Sequence, residues 1–259
     1  MCSLHLEVTT QKPWLVVGDS HAQHLWPYFD ARSKDRRIDF MTSGGCPPLP
    51  GLNTAAPGYD CPRVFDRVRG LVQTGRYERV IVASWWDGYF VGDAPLCVWQ
   101  KGRCQDAVIG LDDARPAFDA AVAIWSEWRG RGVDVFVVLP EPRLRVNQPR
   151  EMARRRYLGL DESPAEFISQ DDYFRSVGPV RAEVARAARL AGAAVIDPAA
   201  QLCHEGQCRF VDGAGHPILR DGSHFRSSWA AQGMHYPDEL LRGTSKAQEV
   251  GTLDSRPRP

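Results

Sequence analysis

A three-layer α/β/α fold, with helices on both faces of a mostly parallel sheet of about five strands, is what this sequence predicts. Three observations lead there. Short apolar runs recur along the chain, and each is followed by a stretch with helical apolar spacing. That alternation is the signature of parallel strands joined by covering helices. The length, 259 residues, is ample for one buried α/β core. No internal repeat competes with that reading.

Taken in order, "WLVV" at residues 14–17 is the first strand, and residues 21–31 read as its helix. "RIDFMT" precedes a loop and then the helical "PRVFDRVRGLVQTG". "RVIVAS" leads into a Trp-rich insertion and then "DDARPAFDAAVAIWSEWRGRG", where Phe118, Val122, Trp125 and Trp128 form one apolar face. A tryptophan stripe at that spacing is core. "VDVFVVLP" is the next strand; after a polar insertion, "DDYFRSVGPVRAEVARAARLAG" is its helix, and "AAVIDPA" closes the series. The insertions at 86–110 and 141–170 are long for plain connections, and such loops often carry function. Residues 1–245 are expected to form one catalytic domain. Residues 246–259, "KAQEVGTLDSRPRP", lack an apolar period and are expected to be a loose tail.

Lys plus Arg and Asp plus Glu both number 32, so the formal net charge is zero. A nucleic-acid protein usually shows a basic excess, and no nucleic-acid partner is expected. The run "ARRRYLG" at 153–159 reads as a solvated face. No apolar run approaches the ~20 residues that span a bilayer. The start, "MCSLHLEVTTQKP", lacks the apolar core of a signal peptide, so work outside the cytoplasm would need delivery by another segment. Of seven cysteines, none forms a C-x-x-C pair. "CVWQKGRC" and "CHEGQC" look like loops pinched at their necks, which favours Cys97 with Cys104 and Cys203 with Cys208. Cys46 and Cys61 then remain as a pair, with Cys2 left over. Buried free thiols are the alternative. Disulfides would place the chain in an oxidising compartment.

The chemistry begins at "PWLVVGDSHAQHLWP", residues 13–27. Ser20 stands where the first strand ends and a helix begins. Asp19 or Ser20 could simply cap that helix. Alternatively, Ser20 faces the crevice at the strand ends, with backbone N–H groups aimed at developing charge. A nucleophilic serine needs a histidine, itself oriented by a carboxylate. His21 and His24 ride on the same helix start and cannot easily swing back onto Ser20. His5, His204, His216 and His235 show no orienting partner nearby. His224, in "LRDGSHFRSSW", lies three residues after Asp221. Across a Gly-Ser turn that spacing lets the carboxylate reach Nδ1 and leaves Nε2 free for the serine proton.

Together, "VVGDSH", a glycine in a second block and "DGSH" resemble the SGNH hydrolase superfamily. The run of "GDSHAQHLWP", "TSGGCPPLPG", "CPRVFDRV", "VIVASWW" and "DGSH", from about Trp14 to about Met234, is similar to the SGNH domains attached to acyltransferase-3 membrane proteins. Those modules O-acylate bacterial cell-surface polysaccharides or peptidoglycan. The resemblance implies an SGNH-hydrolase-like, flavodoxin-like sheet. It implies Ser20 as nucleophile, His224 as base and Asp221 as its orienter, with the N–H groups of Ser20 and Gly45 as oxyanion donors and Asp19 as a structural tie. The superfamily's third block usually offers an asparagine; here it reads Ala83-Ser84-Trp85-Trp86. Trp85 and Trp86 become candidates for the substrate site, since aromatic faces stack on sugars.

The expected function is therefore an extracytoplasmic O-acyltransferase, tethered through a membrane domain, that moves an acetyl or similar group onto a glycan hydroxyl through an acyl-serine. No metal or organic cofactor is expected. The acyl donor is expected from a membrane acyltransferase domain, fused upstream or separate. The rivals are a carbohydrate esterase with the same triad, and a non-catalytic glycan-binding domain.

Overall fold

The structure, a computed structural model, describes residues 1–91 and 94–242, so the tail expected at 246–259 lies outside the described residues. The chain opens with β1 (Cys2–Leu4) and β2 (Trp14–Gly18); a 3-10 turn (Ala22–His24) then leads into α1 (Leu25–Arg32). Next come β3 (Ile38–Thr42), the short β4 (Leu52–Thr54), α2 (Cys61–Gln73) and β5 (Arg79–Ala83). After β5 lie α3 (Trp86–Phe90), a hairpin of β6 (Leu96–Gln100) and β7 (Arg103–Val108), and α4 (Leu111–Gly130). β8 (Asp134–Val138) is followed by α5 (Gln148–Tyr157), β9 (Phe167–Ser169) and α6 (Gln170–Leu190). β10 (Ala194–Ile196), α7 (Ala199–Leu202), β11 (Cys203–His204), β12 (Gln207–Arg209), α8 (Ser227–Gln232) and α9 (Asp238–Leu241) complete it.

The main sheet has six strands in the order β1-β3-β2-β5-β8-β10. Five are parallel; β1 runs antiparallel to β3 at the edge. Successive strand residues face opposite layers. Thus Val16, Ile81, Phe136 and Val138 join a core with Leu25 and Phe29 of α1 and Trp229 of α8. Leu15, Val17, Val80, Val82, Val135 and Val137 join another with Val68 of α2 and Phe118, Trp125 and Trp128 of α4. Both faces are apolar, which is why these strands read as unbroken hydrophobic runs. The helix starts are set by side chains: Asp60, Asn147 and Ser169 accept from the backbone N–H of Arg63, Arg150 and Asp172.

Both long insertions carry secondary structure of their own. β6 and β7 form a three-stranded sheet with β4, and β9 forms another with β12 and β11. Three disulfides brace these additions: Cys46–Cys61, Cys97–Cys104 and Cys203–Cys208. Cys2 is exposed and unpaired among the described residues. No helix among the described residues is long and apolar enough to cross a membrane.

Candidate functional site

Open parallel sheets leave a crevice beyond the carboxyl ends of their strands. Here the segments leaving β2, β3, β5 and β8 all emerge there, carrying Asp19-Ser20-His21, Ser43-Gly44-Gly45, Ser84-Trp85 and Glu141. The sharp exit of β2 depends on Gly18. Its φ is +149°, and a Cβ there would lie 1.7 Å from the Ala83 carbonyl oxygen of neighbouring β5. Only glycine lets the two strands approach this closely at the point where Ser20 is presented.

Asp19 is buried and tied in three directions. It accepts from the His21 N–H (2.8 Å), the Ser84 hydroxyl (2.8 Å) and the Trp85 N–H (2.9 Å). It therefore links the Ser20 turn to the end of β5. Because the Trp85 N–H is spent on Asp19, the main chain of the third block supplies no oxyanion donor at that residue.

Ser20, His224 and Asp221 form a continuous hydrogen-bonded chain. The Ser20 Oγ is 2.9 Å from His224 Nε2, and His224 Nδ1 is 2.9 Å from Asp221 Oδ2. The other carboxylate oxygen of Asp221 accepts from the N–H groups of Ser223 and His224, each at 2.8 Å. Burial works against the charge on Asp221, but those N–H groups and the imidazole hold its carboxyl below the ordinary range. With Nδ1–H donated to Asp221, Nε2 is left to accept the Ser20 proton. The Arg220 N–H closes this loop on the His224 carbonyl (2.8 Å). Burial, then the neighbouring His21 and His24, pull the His224 pKa below that of an ordinary histidine, against the pull of Asp221. The ring thus remains a proton acceptor at lower pH than a free imidazole would.

Gly45 lies in the loop after β3 with φ +74°, and a Cβ there would sit 2.8 Å from the Tyr59 ring. The loop is locked from several sides. Cys46 is bonded to Cys61, and Thr54 donates to the Gly45 carbonyl. The buried Asn53 bridges the Tyr59 carbonyl (3.1 Å) and the Cys61 N–H (2.9 Å). Neither the Ser20 N–H nor the Gly45 N–H has a protein acceptor among the described residues.

The two candidate tryptophans part ways. Trp86 does not line a substrate site: it is fully buried, donates to the Val138 carbonyl (2.8 Å) and packs on Phe118. As the first residue of α3 it turns into the core, opposite to its neighbour. Trp85 is half-buried at the crevice, its ring stacked on His21 (5.8 Å between centroids, 8° between planes) and covered on another side by the Arg143 guanidinium.

One feature of the crevice escaped the sequence reading. Glu141, buried just after β8, accepts from the Nδ1 atoms of His21 (3.1 Å) and His24 (3.2 Å) through one oxygen, and from the Tyr236 hydroxyl (2.7 Å) through the other. Burial alone would raise its pKa, but the two histidines hold it well below the ordinary carboxylate range. His21 and His24 are indeed not on Ser20; their rings flank that of His224 at 4.8 and 5.3 Å. The three side chains bring one ligand-type atom each within 4.8 Å of one another. The two Nδ1 atoms share one Glu141 oxygen, while the Nε2 atoms of both rings are buried without a hydrogen-bond partner among the described residues. The available signal was position: Glu141 follows a strand end as Ser20 does. His216 and His235 do have carboxylates beside them, Asp212 and Asp238, each at 3.4 Å, but they pair with neither Ser20 nor Asp221.

Residues 1–232 match the family described as SGNH domain (fused to AT3 domains). No curated protein sequence matches the chain. Among solved structures, the periplasmic domain of a Salmonella ser. Paratyphi A lipopolysaccharide acetyltransferase superposes with a TM-score of 0.63 at 15% identity, covering 91% of this chain and 86% of that one. A G-D-S-L family protein from Desulfitobacterium hafniense DCB-2 superposes with a TM-score of 0.50 at 10% identity, covering 89% and 100%. Both likenesses are of fold.

Proposed function

Because the chain belongs to the SGNH domain family found fused to AT3 domains, and so is an enzyme of the SGNH type, we propose that it transfers an acetyl or similar short acyl group to a hydroxyl of a cell-surface glycan through an acyl-Ser20 intermediate. The observation that carries this reading is the hydrogen-bonded chain from Ser20 through His224 to Asp221 at the strand ends. Ser20 Oγ attacks the carbonyl carbon of the acyl donor while His224 Nε2 takes its proton. The N–H groups of Ser20 and Gly45 face the oxyanion that forms. His224 returns the proton to the leaving oxygen, and the acyl group stays on Ser20. A sugar hydroxyl, deprotonated by the same imidazole, then attacks the acyl-serine carbonyl; the bond to Ser20 Oγ breaks, His224 returns the proton to that oxygen, and the enzyme is freed. None of these steps calls for a metal or an organic cofactor.

The donor in this scheme is presented by a membrane acyltransferase domain, a role suggested by the family's fusion to AT3 domains. An extracytoplasmic location fits the three disulfides, which persist in oxidising compartments. The periplasmic origin of the Salmonella domain points the same way. Water in place of the sugar gives the esterase reading, and the crevice chemistry is common to both. The deciding experiment supplies an activated acetyl ester with and without a panel of glycans. A transferase consumes donor faster with its acceptor present and yields O-acetylated sugar. Fast hydrolysis with no transfer across the panel would favour the esterase.

A further inference from the structure

We propose that His21, held by Glu141, is a positioning residue for His224: a buried histidine–glutamate pair that braces the ring of the candidate base and fixes the charge it faces. The proposal rests on the acyl-serine reading of the same crevice. Its starting point is an accounting of polar atoms. Glu141 lies inside the protein with both carboxylate oxygens occupied, Oε2 by the Nδ1 atoms of His21 and His24 and Oε1 by the Tyr236 hydroxyl. A buried carboxylate with three donors stays ionised, and an ionised carboxylate inside a protein needs a cation. His21 and His24 are the groups within contact distance that can become one by protonation. The ring Nε2 of each is buried and has no partner among the described residues.

The surroundings select His21 to carry the positive charge. It faces Glu141 from the segment after β8, Asp19 from its own turn and, most weakly, Asp87 from α3, a carboxylate already ion-paired with the Arg143 that packs on Trp85. Its ring also runs nearly parallel to that of Trp85, 5.8 Å away between centroids. Burial opposes charging His21, but these carboxylates outweigh it and lift its pKa above that of an ordinary histidine. His24 is pushed the other way, by burial and by the charge on His21, against the pull of Glu141. It therefore donates to Glu141 as a neutral ring.

The consequence falls on His224. Its ring faces Ser20 and Asp221 on its nitrogens, with His21 at 4.8 Å and His24 at 5.3 Å between centroids. A positive His21 disfavours a resting proton on His224, so the base stays free at mildly acidic pH. It also urges a proton just taken from Ser20 onward to the leaving oxygen. Ser20 and His21 are consecutive, so one turn sets both the nucleophile and the charge beside its base.

Two measurements test this. The first is the ¹⁵N spectrum of the histidine side chains of the wild-type chain at pH 7, assigned with His21→Gln. The expected result is a doubly protonated His21 beside neutral His24 and His224; a neutral His21 would overturn the proposal. The second is the pH profile of kcat/KM for a small acetyl ester. In His21→Gln and Glu141→Gln the acidic limb should move up by roughly one pH unit, because His224 then protonates more easily. An unmoved limb in a variant with native melting would overturn it. Stoichiometric Zn²⁺ binding lost in His21→Gln would overturn it too, by making the cluster a metal site. Absence of ester hydrolysis by the wild type would count against the acyl-serine reading, and the spectrum would still decide the charge on His21.

Discussion

In the proposed mechanism Ser20 Oγ, His224 and Asp221 act in series, so their removal should not cost independent amounts. Ser20→Ala should lower hydrolysis of a chromogenic acetyl ester by about three orders of magnitude or more, with an unchanged melting temperature, since the hydroxyl is half-buried and fills no core. His224→Ala should be about as damaging. Asp221→Asn should retain more activity, because the Ser223 and His224 N–H groups still fix the loop. Wild-type turnover in Ser20→Ala would rule out the acyl-serine route. The legibility of these residues differs for physical reasons. Asp221 and His224 are close enough in sequence that a single turn dictates their contact. Glu141 meets His21 and His24 across 120 and 117 positions, a distance that no local spacing encodes. Trp85 and Trp86 are adjacent and identical in type, and only the start of α3 decides which of them enters the core.

Among elements, the loop between β3 and α2 matters most to the crevice, because it carries Gly45. Closing it through Cys46 and Cys61, 15 positions apart, is worth about 3 kcal/mol in the chain-entropy account. Replacing both cysteines with alanine should lower stability by about that amount in denaturant titration, and should lower kcat before the core melts. The other two disulfides close shorter loops, 7 and 5 positions apart, and their loss should leave turnover nearly intact. Gly45→Ala should reduce activity as well, since it forces an L-residue into φ +74° and drives a Cβ into Tyr59. Retained kcat in either loop variant would detach this loop from the oxyanion role. The strands with covered faces were legible as apolar runs followed by helical spacing. β1 was not: three residues of which Leu4 alone is buried make an edge strand through pairing with β3, a long-range event.

At the scale of the whole molecule, the strand ends of a six-stranded sheet present a crevice where Ser20 is hydrogen-bonded to His224 and the Ser20 and Gly45 N–H groups have no protein acceptor among the described residues. In the proposed mechanism, the residues lining that crevice set what meets the acyl-serine. Trp85 is the half-buried aromatic there, and Trp85→Ala should reduce transfer to a sugar more than hydrolysis if it contacts the acceptor. Equal loss of both activities would place it at the shared step instead. A well-oriented acceptor can outcompete ~55 M water, because effective molarities for held reactants reach about 10⁵ M or more. Whichever acceptor wins, the account requires one covalent species. The most direct test is rapid-quench mass spectrometry of the intact chain mixed with an activated acetyl ester, followed by peptide mapping. The account predicts one added acetyl group, on the peptide containing Ser20, appearing before product release and absent from Ser20→Ala. Turnover of the ester with no acyl group at Ser20 at any quench time would contradict it.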